Sequence, residues 1–279
     1  MVTVASPVIT PMSRISYVIT YRDDGTVERR ANLAAVLCWV GTLPAVEAIV
    51  VEQDAAPRAS FVAQAGVRWE FAFNPGPFNK SWGLNIGARL TDAPLLAFGD
   101  ADLICAPAWP PAAQLLRERF AIVKPYRHLI DLDAEESASV RAGEWNFQPR
   151  RPADALPDRQ ARGEYIVLAG GLFLVRRTVF ERVGGFDERF QGWGGEDDAM
   201  TLSLLASDEP MTTLDLAPAL HLWHPRSPAT TFQQPHYAAN CALLADYRCH
   251  DRGWLIRHWE SRREAMGNLE KYRGVHHER

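Results

Sequence analysis

Three short β-rich runs separated by helical periodicity restrict the fold of this chain more than any other feature. Ile15 to Thr20 is the first, closed by the turn Arg22-Asp23-Asp24-Gly25. Leu33, Val36, Leu37 and Val40 follow at i, i+3, i+4 and i+7, one apolar helical face, and Gly41 and Pro44 stop that helix. Ala48 to Val51 is the second run and ends at Glu52-Gln53-Asp54. After the broken loop Asn74-Pro75-Gly76-Pro77, Ser81 to Leu90 has helical character. Leu95 to Gly99 is the third run and terminates on Asp100-Ala101-Asp102. Strand alternating with helix predicts an α/β fold with a parallel or mostly parallel sheet in this half.

With 279 residues, 47% of them apolar, the chain can build one large α/β domain or at most two small ones. Its charges are interspersed, with a net −4 and no basic run that would serve as a nucleic-acid arm, so no nucleic-acid partner is expected. Cys38, Cys105, Cys241 and Cys249 form no CxxC pair and are expected to be reduced thiols of a cytosolic protein, mostly core fillers. The start, MVTVASPVITPMSR, has no basic segment followed by a long apolar stretch, and no window approaches 18 consecutive apolar residues. The expected location is cytoplasmic, which is compatible with peripheral docking at the inner face of a membrane.

Residues 131 to 163 are polar, broken by Pro149, Pro152 and Pro157, and lack periodicity, so they read as an excursion or mobile flap. Tyr165 to Leu168 and Leu172 to Val175 resume strand character. A helix is expected to begin near Glu196 and to turn Met200, Leu204 and Leu205 inward. Leu214 to Trp223 contains a further strand, and the remainder from Pro235 is mostly helical and charged.

Three clusters carry chemistry. Asp100-Ala101-Asp102 sits at the end of an apolar strand, where open α/β sheets bind ligands. A D-x-D triplet alone is better explained by a solvated turn; its place after LLAFG brings the two readings level, the functional one putting one acid on a metal and the other on a ribose or a bridging water. The second cluster is Gly184-Gly185-Phe186-Asp187-Glu188 with Gly192-Trp193-Gly194-Gly195-Glu196-Asp197-Asp198. Glycines around a tryptophan make a hinge that carries a large ring, and the three acids open a helix whose dipole favours their charged forms. Successive helical residues diverge by about 100°, so the three acids have separate roles, one as a base and another gripping a hydroxyl. Asp187 and Glu188 shape the turn before the Trp loop, an acceptor contact being the alternative. The third cluster is His221-Leu222-Trp223-His224. Its two imidazoles at i, i+3 can chelate one metal if the chain turns between them, and nitrogen added to an oxygen site suits Mn²⁺ better than Mg²⁺. His128, His236, His250, His258, His276 and His277 read as ordinary surface or core histidines, and Trp254 to Trp259 as core packing.

Phe78-Asn79-Lys80, Asn85-Ile86-Gly87, the strand into Asp100-Ala101-Asp102, Gly170-Gly171 and GGFDERFQGWGGEDD occur in that order. Together they resemble the GT-A glycosyltransferases of the β-1,4-galactosyltransferase type, including the related C-terminal module of bacterial family 2 enzymes. The resemblance spans residues 15 to about 225 and implies a GT-A-like, Rossmann-related nucleotide-sugar-binding fold with a mixed central sheet and a C-terminal helical extension. Residues 1–279 then form one domain, with a nucleotide-sugar-binding half at about 15–105, an acceptor and catalytic half at about 165–225, and a helical tail at 235–279.

The resemblance also implies roles. Thr20, Tyr21 and Arg22 contact the nucleotide, Glu52 and Asp54 face base and ribose, and Phe78 and Lys80 lie near uridine and phosphates. Asp102 is a metal ligand with His221 and His224, and Asp100 lies beside the donor sugar. Trp193 closes over donor and acceptor, Glu196 and Asp198 bind the acceptor, and Asp197 is the catalytic base, with Glu196 beside it. The implied cofactor is Mn²⁺, with Mg²⁺ as the alternative, and the implied partners are a UDP-sugar donor and a glycan or other hydroxyl acceptor. The retaining polypeptide N-acetylgalactosaminyltransferases carry asparagine where this chain has Asp197, so an acid there points to inversion. Two rivals stand beside this reading. A sugar nucleotidyltransferase would open with a Gly-rich phosphate loop, whereas residues 15–30 contain only Gly25. A non-catalytic carbohydrate-binding protein would have no need of the D-x-D, the acids and the histidine pair together.

Overall fold

The computed structural model describes residues 13–58, 66–150, 167–225 and 235–273. Its centre is a seven-stranded mixed sheet ordered β3-β2-β1-β4-β8-β6-β9. The strands are β1 (Ile15–Tyr21), β2 (Val46–Asp54), β3 (Val67–Phe73), β4 (Leu95–Gly99), β6 (Ile122–Lys124), β8 (Leu172–Arg176) and β9 (Met211–Thr213). The four strands of the first half run parallel, β8 is antiparallel to β4 and β6, and β6 and β9 are parallel. A small second sheet is ordered β5 (Leu103–Ile104), β10 (Ala219–His221), β7 (Leu129–Asp131).

The period of two along the buried strands builds two cores. Ile15, Tyr17 and Ile19 of β1, Leu95 and Ala97 of β4, and Leu172 and Leu174 of β8 face one cluster. Val18, Leu96, Phe98, Phe173 and Val175 face the other. On the first face lie α1 (Val27–Gly41) and α3 (Trp109–Glu118), whose Trp39 and Trp109 meet Tyr17 with ring centroids 5.7–6.0 Å apart. On the second lie α2 (Lys80–Arg89), α5 (Arg177–Arg182) and α6 (Glu196–Leu205). A side chain at Gly83 would fall 2.0 Å from Thr20 Oγ1, and one at Gly87 2.2 Å from Val18 Cγ1. These two glycines, one turn apart, let α2 lie directly on β1 and aim its first residue, Lys80, at the carboxyl ends of the strands.

The mixed α/β architecture and the helical C-terminal extension follow the sequence expectation, and several details differ. Val67–Phe73 is a strand that the sequence reading passed over; its alternation is blurred because β3 is an edge strand with a half-exposed face. Residues 131–150 are not an irregular excursion: they begin at the last residue of β7 and hold α4 (Ala134–Arg141), opened by a reciprocal capping box between Asp133 and Glu136. Residues 151–166, with Pro152, Pro157, Tyr165 and Ile166, lie outside the described residues, and Val167-Leu168 is loop rather than strand. Leu205 is 53% exposed and does not face inward, since Met200 and Leu204 complete the buried stripe. The strand expected within Leu214 to Trp223 narrows to Ala219–His221.

Among the contacts that tie the C-terminal helices α7 (Tyr237–Cys249) and α8 (Arg252–Arg262) to the body is a buried carboxylate, Asp187. Asp187 accepts hydrogen bonds from Arg189, from Tyr247 Oη at 2.9 Å and from His258 Nε2 at 3.0 Å, with Arg262 at 3.4 Å. Burial alone would raise its carboxyl, but the bonds from His258 and Arg189 and the nearby Arg262 hold it far below the usual range. Its stabilising contribution is therefore complete above the unfolded-state value near pH 4 and falls away as pH drops below that. Asp187→Asn removes the buried negative charge on which Arg189, Tyr247, His258 and Arg262 converge and is expected to lower unfolding free energy by about 1–3 kcal/mol at pH 7, read by urea denaturation; an unchanged midpoint would refute the anchoring role.

Candidate active site

Two groups of polar side chains meet beyond the carboxyl ends of β1 and β4. The first is assembled by the small sheet. β5 pairs antiparallel with β10, placing Leu103 opposite His221, and Leu222 N donates to Asp102 O at 2.8 Å. His221 Nε2 then stands 3.7 Å from Asp102 Oδ1, and His224 Nε2 stands 3.2 Å from Asp102 Oδ2. One ligand atom from each of the three residues lies within 4.8 Å of the others, a spacing that fits a single cation. Parallel pairing of β10 with β7 sets Asp131 beside His221, with Oδ1 2.8 Å from Nδ1. That carboxylate fixes the ring and leaves Nε2 directed at Asp102, the support that metal-binding imidazoles usually have. Burial works against charge on Asp102, yet His221 and His224 hold its carboxyl well below the usual range, while the bond to Asp102 raises His224. A cavity of about 160 Å³ lined by Asp131, His221, Trp223 and His224 opens beside the cluster.

The second group is centred on Lys80. Its ammonium lies 3.0 Å from Asp100 Oδ1, 3.1 and 3.2 Å from the two oxygens of Asp197, and 3.7 Å from Glu196 Oε1. A cation in the first turn of α2 opposes that helix's dipole; three carboxylates from two other elements hold it there and keep it protonated despite burial. Asp197 is subject to opposite effects. Burial raises its carboxyl, Lys80 lowers it, and the neighbouring Glu196 and Asp100 raise it again, leaving it pushed up to about 7.

Gly170 and Gly171 form the wall next to Asp197: a side chain at Gly170 would come 3.7 Å from Asp197 Oδ2. Lys124 Nζ donates to Leu168 O at 3.2 Å and Gly170 O at 2.6 Å, and Tyr126 Oη donates to Gly170 O at 2.9 Å. Gly171 has φ +75°, and a side chain there would strike Tyr126 Oη at 2.2 Å. Asp100 N donates to Gly171 O, so this wall and the D-x-D turn are bonded together. Burial lowers Lys124 to about 7.

The structure thus brings Asp100, Lys80, Glu196 and Asp197 into one cluster and Asp102, His221 and His224 into another. Asp198 points elsewhere, toward Arg248 at 3.4 Å. Trp193 is 39% exposed on the loop before α6. Among the expected nucleotide contacts, Arg22 donates to the carbonyls of Gln53, Asn74 and Gly76 and lies 5.8 Å from the Phe78 ring, so it shapes the loop that carries Phe78. Thr20 Oγ1 accepts from Gln53 Nε2, and the Tyr21 ring is buried in the first core. Glu52 is buried, accepting from Arg58 N and Trp69 Nε1, and Asp54 pairs with Arg58 at 2.9 Å.

Sequence reasoning missed Asp131, Gln53, Lys124 and Tyr126. Gln53 bridges Thr20 and Asn79 beneath the site; Asp131 and Lys124 sit at the ends of three-residue strands too short to show periodicity. The Lys80 cluster generates a test. Lys80→Met removes the one influence of the ammonium that lowers Asp197, so Asp197 keeps its proton to higher pH. The variant is expected to lose thermal stability at pH 8 and to regain part of it at pH 5.5, where Asp197 is neutral. An equal loss at both pH values would show that the ammonium does not compensate these acids.

Comparison with known proteins extends this geometry. Residues 18–184 match the family described as Glycosyl transferase family 2, and residues 150–225 match the N-terminal domain of galactosyltransferase. Curated relatives include polypeptide N-acetylgalactosaminyltransferase 6 of Bos taurus, 26% identical over 162 residues, 52% of this chain and 26% of that protein. Polypeptide N-acetylgalactosaminyltransferase 4 of Mus musculus is 26% identical over 204 residues, 66% of this chain and 34% of that protein. The chain thus spans about a quarter to a third of the length of these relatives. Similar solved structures include the catalytic domain of Drosophila β1,4-galactosyltransferase 7 with xylobiose, at 16% identity and TM-score 0.47, covering 88% of this chain and 79% of that one. A variant of the same enzyme in complex with manganese, UDP-Gal and xylobiose has TM-score 0.48 at 16% identity, covering 86% of this chain and 81% of that one. The family 2 match covers more than half of the sequence, and the chain belongs to glycosyl transferase family 2.

Proposed function

We propose that this protein moves a hexose or N-acetylhexosamine from a UDP-sugar to a hydroxyl of a glycan or other acceptor, with inversion at the anomeric carbon and dependence on a divalent metal. The observation that carries this reading is the Asp197 carboxylate at the start of α6, raised toward neutrality, bounded by the Gly170-Gly171 wall and shared through Lys80 with the D-x-D turn.

The chain's own groups divide the work. Asp197 takes the proton of the acceptor hydroxyl; the freed oxygen forms the new bond to the anomeric carbon while the bond from that carbon to the diphosphate breaks and UDP departs. A base titrating near the working pH is the one that general-base catalysis favours, and its contribution is about 10²–10⁴-fold. Glu196, beside it, grips the acceptor, and the exposed Trp193 ring covers the bound sugars and excludes water. Asp102, His221 and His224 fit a divalent cation, which when bound would neutralise the leaving diphosphate. Two imidazoles with one carboxylate favour Mn²⁺ over Mg²⁺. Lys80 can turn from Asp197 toward a diphosphate, so that donor binding would loosen its hold on the base. Asp197 is also the feature that favours inversion over the retaining outcome.

Two outcomes are expected. Asp197→Asn binds UDP normally by calorimetry but loses about 10²-fold or more in kcat; turnover equal to the unaltered protein would remove Asp197 from the chemistry. Asp131→Asn frees the His221 ring and weakens Mn²⁺ binding about 10- to 100-fold, with His224→Ala weakening it at least as much. Activity of either variant undiminished in chelator would remove the metal from the account. UDP-sugar hydrolysis stimulated by Mn²⁺ also separates a transferase from a nucleotidyltransferase or a non-catalytic sugar-binding protein.

A further inference from the structure

The loop that carries Trp193 is docked on the C-terminal helix α7. Asn240, 2% exposed, donates from Nδ2 to Gln191 O at 2.9 Å and to Trp193 O at 3.1 Å, and its Oδ1 accepts from Gln191 N at 3.4 Å. The Tyr237 ring stacks on the Trp193 indole with centroids 5.7 Å apart and planes 26° from parallel. At Gly194, with φ +98°, a side chain would come 3.5 Å from the edge of the Tyr237 ring. On the opposite side Gly192 N donates to Phe78 O at 2.8 Å, which joins the loop to the donor side of the site.

An exposed indole between glycines has little to fix its plane. Here one turn of α7 supplies what the loop lacks: Asn240 satisfies two loop carbonyls, and Tyr237 backs one face of the ring. The ring stays 39% exposed, and a sugar ring presents the row of C–H groups that stacks on an indole. We propose that α7 is part of the acceptor site, with Asn240 and Tyr237 as positioning residues that hold Trp193 at the angle on which an acceptor sugar ring stacks. The inference rests on the transferase reading above and gives the C-terminal extension a role in acceptor affinity.

The test uses the full chain with Mn²⁺ and UDP, and repeats the titrations without nucleotide. The probes are benzyl β-galactoside, β-glucoside, β-xyloside and β-N-acetylglucosaminide, followed by saturation-transfer NMR. At least one probe is expected to bind, and Tyr237→Ala to weaken it about 3- to 10-fold, the size of one aromatic stacking interaction. Tyr237→Phe is expected to restore binding, and the affinity for UDP to stay unchanged in both variants. Asn240→Ala is expected to match the loss in Tyr237→Ala; Tyr237 is partly exposed, so its variants keep the test valid if the buried substitution fails to fold. Probes that bind Tyr237→Ala as tightly as the unaltered protein, or that fail to bind a protein still binding UDP, overturn the proposal. Failure to bind UDP instead counts against the donor reading, while the nucleotide-free titrations still decide the role of α7.

Discussion

One ammonium makes the site buildable. Lys80 stands within 3.7 Å of carboxylate oxygens from Asp100, Glu196 and Asp197. At such separations each uncompensated carboxylate pair would cost on the order of a few kcal/mol at the effective dielectric of a protein surface. The residues come from three elements that have no reason to converge otherwise: the start of α2, the turn after β4 and the first turn of α6. The same balance leaves Asp197 with a proton affinity suited to a base near neutral pH. The price is a cation at the wrong end of a helix, which only this arrangement of acids makes tolerable.

Everything that aims Lys80 is close packing. Gly83 and Gly87 let α2 rest on Thr20 and Val18, and Asn85 locks it to the backbone of Phe186, with its Nδ2 on Phe186 O and its Oδ1 receiving Phe186 N, both at 2.9 Å. The GGFDE turn is thereby fixed to α2 before the Trp loop begins. Asp187, in that turn, anchors α7 and α8 from the other side. α2 and the C-terminal helices are thus bonded to the turn before the Trp loop through the same few residues, which favours a site assembled as a unit.

Much of this was legible in the sequence because the central strands are long or strongly apolar and because glycines and acids mark the turns. Ile15 to Thr20 and Leu95 to Gly99 could be placed within a residue or two, and the clusters around Asp102 and Asp197 were named from motif order. What the sequence hid was short or depended on tertiary pairing. β5, β7 and β10 have two or three residues each, yet their register alone sets Asp131 against His221. Residues 131–150 looked irregular because α4 is only eight residues long and is held by a capping box rather than by an apolar stripe. Arg22 was read as a nucleotide contact, and nothing in the sequence signalled that three backbone carbonyls also converge on it, a demand that no local pattern reveals.

A base at Asp197 driving a single displacement at the anomeric carbon fixes the configuration of the product. The stereochemistry of the product reports on this most directly. With an α-linked UDP-sugar, Mn²⁺ and an accepting glycoside, the new linkage is read from its anomeric proton coupling by NMR before any equilibration. Displacement assisted by Asp197 gives a β-linked product; an α-linked product would rule it out.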